Sequence, residues 1–154
     1  MNKPATQPSS ENSHLTEENN TEERFQQELS LGDQSMDSTH WEFVTLVERA
    51  AKAAPEEFAS AMHELVQHTR AHFSQEESRM QSVKHRLLNE HQAEHQRILG
   101  DMERFSKRAE KGRSTMARAW VSDNLMDWFA THARTMDSAL AADLVPRTVD
   151  DRDN

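Results

Sequence analysis

HTRAHFSQEESRM, residues 68 to 80, sets an imidazole and a carboxylate one turn apart within an otherwise apolar helical stripe. His72 and Glu76 are four residues apart, so on an α-helix they share one side. The same side carries Phe58, Met62, Leu65, Thr69, Met80 and Val83, at steps of three and four that predict a helix burying this face. Burial without partners costs about 2 to 7 kcal/mol for a neutral polar group and far more for a carboxylate. The pair therefore requires a hydrogen-bond network or a metal ion.

Three further runs share the helical period. Met36, His40, Val44, Val47, Ala51 and Ala54 form the first, which Pro55 interrupts. Leu88, His91, His95, Ile98, Met102, Phe105 and Ala109 form the next, with Gly112 as a stop. Ala117, Val121, Leu125, Trp128, His132 and Met136 form the last, ending before Pro146. Four amphipathic helices with short connections predict an all-α fold, an antiparallel up-down four-helix bundle over residues 31–145. Residues 1–30 hold six acidic and two basic residues and few apolar ones, which predicts a disordered acidic tail. Within it, LTEENNTEERFQQEL can form a transient helix. Residues 146–154, ending in DDRDN, are expected to be a solvated C-terminal tail.

Composition narrows the chemistry. The 154 residues suffice for one domain with its own core, and three Gly, four Pro and no Tyr favour helix over strand. A net charge of −9 without a basic cluster argues against nucleic acid and anionic membranes as partners. The absence of cysteine excludes disulfides, thiolate nucleophiles and cysteine-ligated clusters, and is compatible with a reducing cytoplasm. No stretch has the length and apolarity of a membrane span, and the first residues lack the apolar core of a secretion signal. A cytoplasmic protein is expected, with its protein partners left open.

His40, His72, His91, His95 and His132 all occupy core positions, at least one on each helix. A single buried histidine is ordinarily a hydrogen-bonded core residue, but five sharing a core with Glu76 suit a metal centre. Imidazoles and carboxylates together suit iron, manganese or zinc, and the lack of sulfur donors disfavours copper(I). With an acid from the last helix the donors are too many for one ion, whereas two carboxylate-bridged ions use them all. A ferritin-like site requires Glu-x-x-His pairs, yet Thr69, Leu88, Gln92 and Phe129 stand three residues before the relevant histidines. HQAEH at residues 91–95 matches an inverted zinc-peptidase pattern with Glu94 as base, but leaves His40, His72 and His132 unexplained.

SMDSTHWEF, HTRAHFSQEESRM, HQAEH and WFATHARTMD, taken in order, resemble the four ligand segments of the bacterial hemerythrin family, across residues 31–144. The resemblance implies two non-haem iron ions. His91, His95 and His132 would bind one, His40 and His72 the other, with Glu76, Asp137 and an oxo or hydroxo group bridging them. Glu76 is preferred to Glu77 because it stays on the stripe of His72; Glu77 is expected to face solvent or the next helix. Asp137 comes from the family pattern alone. It stands five residues after His132, about 140° around an ideal helix, so a local widening is needed to bring it over the site.

The implied function is reversible binding of dioxygen for storage, delivery or sensing, held as a hydroperoxide at one iron, without catalysis. The alternative is a diiron oxidase, peroxidase or nitric oxide-handling enzyme. Two carboxylates among five neutral imidazoles supply less negative charge than a carboxylate-rich enzyme site, which favours the binding protein. His68, one turn before His72, is either an outer neighbour of the site or a packed histidine. His14, His63 and His85 fall off the stripes and are expected to be solvated. Trp41, Phe73, Trp128 and Phe129 are candidates to wall the pocket, with Met62, Leu65 and Leu125 as apolar lining.

Overall fold

A computed structural model describes residues 11–146, with side chains from residue 20 onward. The described residues fall into two compact units, one up to Ser30 and one from Leu31 onward. In the first, helix α1 spans Glu11–Glu28 where composition predicts a disordered tail with transient helix. Its glutamates, glutamines and arginine are good helix formers, and Arg24 pairs with Glu28 one turn on. Residues 1–10, the His14 side chain and the DDRDN end lie outside the described residues.

The second unit is the four-helix bundle: α2 Gln34–Lys52, α3 Phe58–Ser82, α4 Leu88–Glu110 and α5 over residues 114–144. α3 packs between α2 and α4, and α5 closes the ring against both. The expected stripes are its interior, with Val44, Val47, Phe58, Met62, Leu65, Ile98, Met102, Val121 and Leu125 buried, and Phe43 and Phe129 extending them. Beyond the histidines at one end, Met36, Met80, Leu140 and Ala141 form an apolar plug. Among the described residues no helix is long and apolar enough to cross a membrane.

Among the described bundle helices, side-chain capping at the N-terminus is seen only at α2. The Asp33 carboxylate accepts from Met36 N–H at 2.9 Å and from both terminal nitrogens of Arg79, at 2.8 and 2.6 Å, tying α3 to the start of α2. Arg118 of α5 donates to the carbonyls of Ala51 and Ala53 at the end of α2, its guanidinium lying over the Phe58 ring. Gly112, at φ 75°, ends α4 in the left-handed region that glycine tolerates.

Arg79 holds the Asp33 carboxyl below its ordinary range; partial burial opposes this and the Met36 N–H assists it. A depressed folded-state pKa contributes stability above the unfolded value of about 4, lost as pH falls through the folded value. Asp33→Ala is expected to lower unfolding free energy by about 1 to 3 kcal/mol at pH 7, through the cap and the ion pair. Urea melts at pH 7 and pH 3 check this; the gap between the two proteins should narrow at the lower pH.

α5 is not a uniform α-helix. Its α-helical stretches Ser114–Trp120, Met126–His132 and Ser138–Leu144 are joined by π-helical turns at Val121–Leu125 and Ala133–Asp137. In a π turn the hydrogen bond runs to the fifth residue, so residues five apart come to lie one above the other. His132 and Asp137 are such a pair. The widening that Asp137 requires is therefore present.

Candidate metal centre

α2 brings His40, α3 brings His72 and Glu76, α4 brings His91 and His95, and α5 brings His132 and Asp137. All seven are buried, none more than 5% exposed. They fall into two abutting groups, Glu76, His91, His95, His132 and Asp137 in one and His40, His72 and Glu76 in the other, with Glu76 in both.

Every imidazole turns Nε2 to the centre. Glu76 Oε1 lies 2.6 Å from His72 Nε2 and 3.3 Å from His40 Nε2. Its other oxygen lies 3.3 Å from His95 Nε2 and 3.7 Å from His91 Nε2. Asp137 repeats the pattern from the opposite side. Its Oδ1 is 3.0 Å from His91 Nε2 and 3.1 Å from His132 Nε2, and its Oδ2 is 3.1 Å from His40 Nε2. Each carboxylate thus directs one oxygen toward the two-histidine end and one toward the three-histidine end.

Burial works to raise the pKa of both acids, but the surrounding imidazoles overcome it. Glu76 is held below its ordinary range by His72 and His40 against burial and Asp137, and Asp137 by His132, His40 and His91. Both remain ionised at neutral pH. Burial alone would depress His40, yet the adjacent Asp137 and Glu76 carboxylates lift its pKa to about 9. The centre therefore favours positive charge.

A pair of cations fits this set. Glu76 Oε2, His95 Nε2 and both Asp137 oxygens are buried and make no hydrogen bond among the described residues, a cost that coordination would remove. Nitrogen and oxygen donors without sulfur suit iron.

Aromatic rings surround the donors. Phe73 stacks on His95 at 3.7 Å, Trp128 stacks on His132 at 4.7 Å, and Phe129 meets His40 edge-on at 5.1 Å. Trp41 is half-buried. Glu94 belongs to neither group; it accepts from Trp128 Nε1 at 2.7 Å and pairs with Arg97, contacts that do not suit a peptidase base. Arg97, with Trp128 assisting against partial burial, holds its carboxyl down at about 2.

The remaining histidines separate cleanly. His68 joins neither group; its Nε2–H donates to the Thr39 carbonyl at 3.2 Å, its ring lies 6.2 Å from that of His72, and burial lowers its pKa. His63 is exposed, as expected. His85 is buried, not solvated: the turn after α3 folds it inward, where Nδ1 meets Asp143 of α5 at 2.6 Å. Its partner lies 58 residues away, so helical spacing carries no sign of it. Glu77 takes the second of its two expected directions and reaches α4, at His95 Nδ1 and Gln92.

Residues 31–144 match the family described as Hemerythrin HHE cation binding domain. The chain is also 32% identical over 130 residues, covering 84% of its own length and 94% of the relative's, to the bacteriohemerythrin of Ralstonia nicotianae. No solved structure matches it. The chain belongs to the hemerythrin family. Its paired cluster of His, Glu and Asp is a diiron-binding site of the hemerythrin type, one that binds dioxygen and is not catalytic.

Proposed function

We propose that the chain binds dioxygen reversibly, for storage, delivery or sensing, with one iron held by His91, His95 and His132 and the other by His40 and His72. Glu76 and Asp137 span the two, together with a solvent-derived oxygen. One observation carries this reading: two buried carboxylates each direct one oxygen to either half of a five-imidazole cluster. When bound there, a ferrous pair supplies the two electrons that dioxygen takes up and returns on release.

The chain's own groups set the terms of that exchange. As metal ligands the five imidazoles would be neutral, so only the two carboxylates would bring negative charge to the centre, which disfavours highly oxidised metal states and supports binding over catalysis. The end made by His40 and His72 has fewer protein donors, so it is the side left for a small ligand. A cavity of about 10 Å³, bordered by Met36, Thr39, His72 and Glu76, adjoins that end and has room for about one water-sized molecule. Phe129 and the fully buried Met62, Leu65 and Leu125 are apolar and offer water no hydrogen bonds. A cytoplasmic location without a nucleic-acid or membrane partner accords with the charge of −9 and the absence of cysteine.

Iron content and visible absorption test the proposal. The aerobically purified protein is expected to hold two irons per chain and to show a charge-transfer band. The anaerobic reduced protein should colour in air and return to colourless under argon. Irreversible oxidation with peroxide released on each exposure would replace the binding protein with an oxidase.

A further inference from the structure

The second acid of the SQEES stretch has its own target. α3 presents two pairs at four-residue spacing, side by side: His72 with Glu76 toward the centre, and Phe73 with Glu77 toward His95. The Phe73 ring lies flat on the His95 imidazole, 3.7 Å away and 2° from parallel. Glu77 Oε1 lies 3.1 Å from His95 Nδ1 at the ring edge, and its Oε2 accepts from Gln92 Nε2 at 3.1 Å. One face and one edge of this imidazole are thus fixed from α3, and the carboxylate is itself held by α4.

A carboxylate only accepts, so the proton on His95 sits on Nδ1 and the lone pair on Nε2. That Nε2 is buried without a hydrogen-bond partner and belongs to the metal-ligating group. No other imidazole of the cluster is held this way: the Nδ1 atoms of His40, His72, His91 and His132 make no hydrogen bond among the described residues.

We propose that Glu77 is a positioning residue that fixes the tautomer and angle of His95, so that the three-histidine end binds a divalent cation more tightly and fills before the two-histidine end. The proposal rests on the metal-centre reading of the cluster. A carboxylate on the distal nitrogen raises the donor strength of an imidazole, and loss of such a partner typically weakens metal binding by about 10- to 100-fold.

The test is titration of the metal-free full chain with Co²⁺ without oxygen, followed by calorimetry and by the visible absorption of the cobalt. The wild-type chain is expected to bind two ions in two separable events. Glu77→Ala should weaken the first by roughly 10- to 100-fold and leave the second in place. Glu77→Gln keeps an acceptor for Nδ1–H but loses the charge, so it should fall between the two, several-fold below wild type. Circular dichroism of the metal-free variants monitors folding; if Glu77→Ala fails to fold, Glu77→Gln decides, and an unchanged first event in it overturns the proposal. An unchanged first event in Glu77→Ala, or equal weakening of both events, overturns it as well. A wild-type chain that binds fewer than two Co²⁺ would overturn the metal-centre reading itself, an outcome visible before any variant is made.

Discussion

Replacing Glu76 by alanine is expected to empty both ends of the centre at once. Its two oxygens face different histidine groups, Oε1 toward His72 and Oε2 toward His95, and it is the one acid common to both clusters. On the proposed assignment, removal takes a donor from each ion and the bridge between them. It also leaves five imidazoles with one carboxylate, so the electrostatic preference for cations falls by half of its acidic charge. His132→Ala and His40→Ala each remove one donor from one end and should be milder, with His132→Ala releasing the better-supplied ion. Metal analysis after gel filtration reads the difference: no ion retained in Glu76→Ala, a loss beyond the roughly 10- to 100-fold expected of Glu77→Ala. Equal occupancy in the two glutamate variants would remove Glu76 from the bridge.

Withdrawing the metal should have a comparable effect on the fold. The seven proposed donors come from four helices, and without cations four of their central atoms are buried with no hydrogen bond among the described residues. Ions that bind only this folded arrangement stabilise it by mass action, by about 2.7 kcal/mol when free metal is a hundredfold above its dissociation constant. For a chain of this length that corresponds to a rise in melting temperature of roughly 10 °C. Thermal melts of the chelator-treated and iron-loaded protein measure it. Coincident melting curves would mean that the donors do not act on a common guest.

The four stripes and the five histidines were legible because both follow the 3.6-residue period. Side chains on such a stripe turn toward the interior whatever their polarity; Phe105, Trp128 and Met136 are only half-buried, but His40, His72, Glu76, His91, His95 and His132 are all buried. Asp137 breaks the period, and spacing alone pointed to Met136. Only the π turn at Ala133–Asp137 restores the alignment, and nothing in ARTMD announces a fifth residue in the turn. His85 was illegible for a different reason: its burial depends on a turn and on Asp143 from another helix, a contact between distant segments. Glu77 left a faint trace, since Phe73 four residues earlier marks a second face of α3 turned toward α4. Residues 11–28 form a helix over LTEENNTEERFQQEL, the part of the acidic stretch whose composition allows one.

The π turns of α5 bear on insertions and deletions. Each is a turn of helix with one residue more than an α-helix would use, and the downstream Leu140 remains in the core despite the surplus. In the uniformly α-helical α3, deletion of a residue would rotate everything beyond it by about 100° and turn a buried face to water. In α5 the chain can shed a residue inside Ala133–Asp137, close the turn to the α form, and keep Leu140 and its neighbours in phase. The acid would then stand four residues after His132, the same interval that separates His72 from Glu76. The last helix is therefore the segment of the bundle where chain length can drift by one without loss of register.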